Sequence, residues 1–128
     1  MIAGTLFLGS CASNSVKSEE KEAKIEEVIS TLDNVNDINF KSKKNVLLDV
    51  RTPEEFAAGH VPGAVNIDVK NPNFEEEIQK LDTKMNYFIY CKSGVRAKLA
   101  TEKMQEKGFK NAKNFKDGMS TYKGTVAK

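Results

Sequence analysis

The sequence predicts one α/β domain built on a mainly parallel sheet. Two short apolar runs, at residues 46–50 and 87–90, have the composition of strands that are buried on both faces of a sheet. Each run is followed by a segment with helical signals, and this alternation is typical of parallel sheets. The chain has 128 residues, of which 39% are hydrophobic and 30% charged, as expected for one ordinary globular domain.

The charge pattern and the cysteine count exclude several classes of protein. The net charge of +2 comes from 20 basic and 18 acidic residues spread along the chain, so no basic face indicates a nucleic-acid partner. The two cysteines cannot form a disulfide framework. A disulfide between Cys11 and Cys91 is disfavoured, because it would join the end of a leader to the core.

The first eleven residues form an apolar stretch that is too short to span a bilayer. Residues 8–11, Leu-Gly-Ser-Cys, resemble a bacterial lipobox, which implies that residues 1–11 are a signal remnant and that Cys11 is lipidated. Residues 12–24 would then be a polar linker to a membrane tether in the cell envelope. The alternative is an apolar N-terminus with an incidental cysteine, and a cytoplasmic protein.

The folded part begins with an ambiguous segment, residues 25–32, for which we favour a first strand at 25–29 over a helix. The strand at 46–50 follows. Thr52, Pro53 and Glu55 then supply an N-cap, a first helical residue and a capping-box partner, so a short helix is predicted to begin here and to end at Gly59.

A second capping box, from Asn73 to Glu76, predicts a helix that ends near Leu81 and buries Phe74 and Ile78. The strand at 87–90 comes next and leads directly into Cys91. A helix is predicted over residues 97–107. A short last strand at 113–115 and a loop at 116–119 complete the domain.

Cys91 is the leading candidate for chemistry, because it follows a buried strand at the edge where open α/β sheets bind ligands. The loop after it runs through Lys92, Ser93, Gly94, Val95 and Arg96. Gly94 permits a sharp turn, and inward backbone N–H groups with nearby positive charge would stabilise a thiolate or a bound anion. Arg96 could clamp an oxyanion, and Ser93 adds a hydroxyl donor. The alternative is a small buried hydrophobic residue without function.

Residues 47–56, 59–64 and 90–97 together resemble a single-domain rhodanese, a thiosulfate sulfurtransferase, over about residues 25–124. The resemblance implies a five-stranded, mainly parallel sheet with helices on both faces, and leaves residues 125–128 as a tail. It also implies that Cys91 takes sulfur from thiosulfate or a similar small anionic donor. A persulfide on Cys91 would pass the sulfur to cyanide or a thiol, with residues 92–96 binding the substrate and no metal or cofactor.

The same motifs imply supporting roles for other residues. His60 is expected to be a hydrogen-bonded structural residue at a turn, and Asp49 and Arg51 are expected to organise the neighbouring loops as a charge pair, with substrate steering a lesser alternative for Arg51. Asp117 stands where the family often has glycine and could place an acid at the rim of the pocket. Tyr122 could replace the packing of a tryptophan.

Three other functions remain open from the residues alone. The first is a rhodanese-like carrier or interaction module that serves one protein partner. The second is a phosphatase or arsenate reductase, disfavoured because those enzymes carry five residues between cysteine and arginine whereas this chain has four. The third is a redox role for Cys91 with a second thiol, disfavoured because no other cysteine is nearby.

Overall fold

The computed structural model describes residues 28–128 and shows a five-stranded sheet in which every strand pairing is parallel. The strands are β1 (Val28–Ile29), β2 (Asn45–Asp49), β3 (Val65–Asn66), β4 (Asn86–Cys91) and β5 (Ala112–Gly118). Their order across the sheet is β1-β5-β4-β2-β3. The predicted fold class is therefore confirmed, and β4 lies at the centre of the sheet.

The helices cover both faces of this sheet. They are a 3-10 helix (Leu32–Asp37), α1 (Pro53–Ala58), α2 (Phe74–Gln79) and α3 (Val95–Glu106). Neighbouring residues of β2 show the two faces: Leu48 belongs to the core beneath α2 and α3, whereas Leu47 packs with Leu32 and Val35 of the 3-10 helix. Successive side chains of a strand point to opposite faces of the sheet, and this alternation divides the core into two parts.

Helix α1 begins as predicted. Thr52 Oγ1 accepts a hydrogen bond from the Glu55 N–H at 3.2 Å, and Glu55 Oε1 accepts one from the Thr52 N–H at 3.0 Å. The capping box predicted for α2 is wrong, because Asn73 makes no side-chain cap. The Asn73 N–H instead donates to Asn71 Oδ1 at 2.8 Å and closes a turn that begins at Asn71. In this turn the backbone of Asn73 does not have the extended conformation of an N-cap residue.

Several other boundaries differ from the prediction. Strand β3 is not among the predicted elements, α3 begins at Val95 rather than at residue 97, and most of the predicted loop at 116–119 is part of β5. Strand β1 occupies part of the segment for which a first strand is predicted. The predicted tail returns to the domain, since His60 and Ala127 exchange backbone hydrogen bonds of 2.9 and 2.8 Å.

Within residues 28–128, none of the helices combines the length and the hydropathy that crossing a bilayer requires. The signal remnant at 1–11, the lipidated Cys11, the linker at 12–24 and the start of the first strand at 25–27 lie outside the described residues.

Candidate active site

Cys91 is the last residue of the central strand β4 and is completely buried. Its Sγ accepts hydrogen bonds from the backbone N–H groups of Gly94 at 3.0 Å and Ala97 at 3.3 Å. Both donors belong to the N-terminal end of α3, where the helix dipole adds a partial positive charge. Two backbone donors and a helix terminus thus point at one sulfur atom.

The connection between β4 and α3 is held tightly in place. It contains only residues 92–94, because Val95 and Arg96 already belong to the first turn of α3. Gly94 has a φ of 103°, and a Cβ atom there would lie 2.6 Å from the Lys116 carbonyl oxygen. The Met119 N–H donates to the Cys91 carbonyl at 2.9 Å. The end of β5 and the residue after it therefore enclose the loop.

The predicted substrate-binding residues differ in their placement. Gly94 contacts the sulfur through its backbone, whereas the side chains of Lys92, Ser93 and Val95 are at the surface of the loop. Ala97 is not among the predicted site residues, although its N–H donates a hydrogen bond to Cys91 Sγ. An apolar side chain gives no sign of this role, which belongs to the backbone: Ala97 is in the first turn of α3, where N–H groups have no partner within the helix.

Arg96 forms a bidentate ion pair with Glu55 of α1. Arg96 Nη1 donates to Glu55 Oε1 at 2.8 Å, and Nη2 donates to Oε2 at 3.1 Å. The hydrogen bonds from Arg96 are the largest of the influences that lower the pKa of Glu55 from 4.5 to about 2. The local sequence predicts anion binding for Arg96 and helix capping for Glu55, but it does not indicate that the two side chains meet.

Glu55 makes the stability of the fold depend on pH in the acid range. Its pKa is lower in the folded chain, so the ion pair contributes stability above about pH 4.5, and this contribution is lost as the pH falls towards about 2. The side chain is 31% exposed, so we expect less than about 1 kcal/mol. Urea denaturation of wild type and Glu55→Gln should show a stability difference at about pH 7 that shrinks at about pH 3. A difference that is equal at both pH values would contradict this assignment.

Asp49 and Arg51 form the predicted charge pair, and it is buried. Arg51 Nε donates to Asp49 Oδ1 at 2.9 Å, and the guanidinium also donates to the Gly59 carbonyl at 2.7 Å. The pair thus ties the end of β2 to the turn after α1. Arg51 lies over the ring of Tyr90, whose side chain belongs to the face opposite Cys91, so substrate steering by Arg51 does not fit this geometry.

Removing the negative partner of this pair should destabilise the domain strongly. We expect Asp49→Asn to lower the free energy of unfolding by about 3 kcal/mol, because the charge on Arg51 stays buried without a counter-charge. Asp37→Asn removes the same charge outside the core and should change stability by less than about 0.5 kcal/mol. Equal losses in the two variants, measured by urea denaturation, would show that the buried pair contributes little.

His60 packs against α1 and pairs with the C-terminal end of the chain. Its ring lies parallel to that of Phe56, with 3.7 Å between the ring centroids, and Nδ1 is 2.9 Å from the Phe56 carbonyl oxygen. Its backbone pairs with Ala127. The imidazole is thus engaged by α1 and holds the chain at the turn that follows.

Asp117 does not act as an acid at the rim of the pocket, so that expectation is corrected. Its Oδ1 accepts the N–H of Leu32 at 2.7 Å and its Oδ2 accepts the Thr121 hydroxyl at 2.9 Å. The carboxylate therefore caps the start of the 3-10 helix, on the face away from α3. Tyr122 packs against the core on that same face, as expected for a substitute aromatic residue.

Known proteins are similar to this chain over most of the described domain. A family model described as the rhodanese-like domain matches residues 31–125. The chain is 36% identical over 85 residues to thiosulfate sulfurtransferase 16, chloroplastic, of Arabidopsis thaliana, a match that covers 59% of this chain and 71% of that protein. It is 35% identical over 99 residues to the adenylyltransferase and sulfurtransferase UBA4 of Meyerozyma guilliermondii. That match covers 72% of this chain but only 23% of the relative.

Solved structures show the same fold. The crystal structure of a rhodanese-like domain protein from Staphylococcus aureus is similar with a TM-score of 0.68 and 27% identity. The similarity covers 79% of this chain and 96% of that one. The family match includes β2 to β5, the three α-helices and the Cys91 loop. From its sequence, its sheet and its sulfurtransferase relatives, the chain belongs to the rhodanese-like domain family.

Proposed function

We propose that this protein transfers sulfane sulfur from a small anionic donor, such as thiosulfate, to a thiophilic acceptor through a persulfide on Cys91. The convergence of the Gly94 and Ala97 N–H groups on Cys91 Sγ carries the proposal. A thiolate and the terminal sulfur of a persulfide both carry negative charge, so donors aimed at this point stabilise both forms. The sulfurtransferase relatives support the same reaction class.

The reaction has two balanced steps. The Cys91 thiolate attacks the outer sulfur of thiosulfate, an S–S bond to Cys91 forms, the S–S bond of the donor breaks, and sulfite leaves with the electron pair. An acceptor such as cyanide then attacks the outer sulfur of the persulfide. Thiocyanate leaves, and the Cys91 thiolate is regenerated for the next turnover.

Intact-mass measurement after incubation with thiosulfate tests this function directly. We expect a gain of one sulfur atom on the protein, its loss on addition of cyanide, and release of thiocyanate. An aryl phosphate should not be hydrolysed. Hydrolysis of the phosphate without any gain of sulfur would favour the phosphatase alternative instead.

A second candidate function is a sulfur carrier that serves one protein partner. Val95 is 75% exposed and Leu99 is 45% exposed, and their spacing places both on the outer face of α3 beside the Cys91 loop. Apolar side chains at this place suit contact with another protein. No thiocyanate from thiosulfate, together with persulfide transfer from a protein donor to Cys91, would favour this carrier over the enzyme.

We also propose that lipidated Cys11 tethers the domain to a membrane in the cell envelope. The lipobox-like segment at residues 8–11 and the polar composition of residues 12–24 support this proposal. Mass spectrometry of protein from the membrane fraction of the native host should find an acylated Cys11 at the N-terminus. An intact, unacylated Met1 terminus would contradict it.

A further inference from the structure

The ion pair between Glu55 and Arg96 lies at the Cys91 loop and has a consequence for the choice of sulfur donor. Arg96 is in the first turn of α3, directly before Ala97, whose N–H contacts Cys91 Sγ. The pKa of Arg96 is raised, chiefly by its hydrogen bonds to Glu55. Arg96 therefore belongs to the same turn of α3 that supplies a hydrogen bond to the sulfur.

Glu55 is well placed to offset the charge of Arg96. Both of its carboxylate oxygens accept hydrogen bonds from the guanidinium, and Oε1 also accepts the Thr52 N–H. The capping box thus fixes the carboxylate before it meets Arg96. With a pKa of about 2, Glu55 is ionised at neutral pH. Lys92 in the loop and Lys98 in α3 are both exposed, so solvent screens their charge.

We propose that Glu55 is a specificity-determining residue, which lowers the positive charge facing Cys91 and thereby disfavours dianionic sulfur donors relative to monoanionic ones. This inference rests on the sulfur transfer proposed above. A fixed negative charge repels a dianion about twice as strongly as a monoanion at the same distance. Arg96 keeps N–H donors that Glu55 does not use, so it can still bind a donor that carries a single charge.

The test compares two donors that deliver the same outer sulfur. Thiosulfate is a dianion that releases sulfite, whereas methanethiosulfonate is a monoanion that releases a sulfinate. In both cases the Cys91 thiolate forms an S–S bond to the outer sulfur, and the leaving group departs with the electrons of the broken S–S bond. The change in the ratio of kcat/KM for the two donors between wild type and a variant, with cyanide as acceptor, therefore reports the effect of that residue on donors of different charge.

The informative variant is Glu55→Gln, because glutamine can still complete the capping box while the charge is removed. We expect kcat/KM for thiosulfate to rise about tenfold and that for methanethiosulfonate about threefold, so that the ratio shifts about threefold towards thiosulfate. Glu55→Asp keeps the charge and should keep the wild-type ratio. Glu54→Gln removes a charge from the exposed neighbouring position and should leave both rates within about 1.5-fold of wild type.

The outcomes separate this inference from the function on which it rests. If Glu55→Gln lowers both rates equally while wild type is active, Glu55 only positions the loop, and the inference is overturned although the sulfur transfer stands. A kcat/KM ratio of the two donors that is unchanged in Glu55→Gln would also overturn the inference. If wild type gains no sulfur from either donor, the proposed function is wrong and the inference falls with it.

Discussion

Replacing Cys91 with alanine is expected to abolish persulfide formation and to lower thiocyanate production by at least about a thousandfold, because no other group at the site can take its place as nucleophile. The fold should persist. The side chain is completely buried, but alanine removes only one heavy atom from the core and should lower the free energy of unfolding by about 1 kcal/mol.

Intact-mass measurement after incubation with thiosulfate and urea denaturation together check this expectation. Cys11→Ser is the matched control, since Cys11 is the only other thiol in the chain, and this variant should gain one sulfur as wild type does. If the Cys91→Ala variant still gained sulfur while Cys11→Ser did not, the nucleophile would be Cys11, and the assignment of the site would be wrong.

Gly118→Ala should disturb both the fold and the Cys91 loop. The register between β4 and β5 shifts between Ile89 and Cys91, and this irregularity brings Gly118 directly beside Cys91. A Cβ atom on Gly118 would overlap the Cys91 carbonyl oxygen and lie 2.7 Å from its carbon. These are backbone atoms at the centre of the sheet, so they cannot yield without moving the Cys91 loop.

We therefore expect Gly118→Ala to lower the free energy of unfolding by about 3 kcal/mol and sulfur transfer by about a hundredfold, since displacing the nucleophile by about 1 Å has an effect of that size. Gly108→Ala is the control. Gly108 has a φ of 99°, and a methyl group there would meet nothing within 4 Å, so alanine should cost only about 1 kcal/mol of backbone strain without loss of activity. Equal behaviour of the two variants in urea denaturation and in the thiocyanate assay would refute the steric argument.

The features that could be predicted from the sequence are those encoded by neighbouring residues. The capping box of Thr52 and Glu55 spans four residues, and the strand before Cys91 is a continuous apolar run, so both follow from the local pattern. Strand β3 was missed because it has only two residues, and one of them, Val65, is exposed. So short an element has no periodicity of its own, and its pairing with β2 alone defines it.

The order of residues along the chain was enough to establish the α/β class, the position of Cys91 at the end of a buried strand and the glycine that lets the chain turn after it. Folding in three dimensions added that the Ala97 N–H contacts the sulfur, that Gly118 lies against the Cys91 carbonyl and that Arg96 meets Glu55, 41 residues away in sequence. The two groups of features differ in how far apart the interacting residues are in the sequence. Turns and caps depend on bonds between near neighbours, whereas the partner of a charge or a carbonyl depends on how distant elements pack around one core.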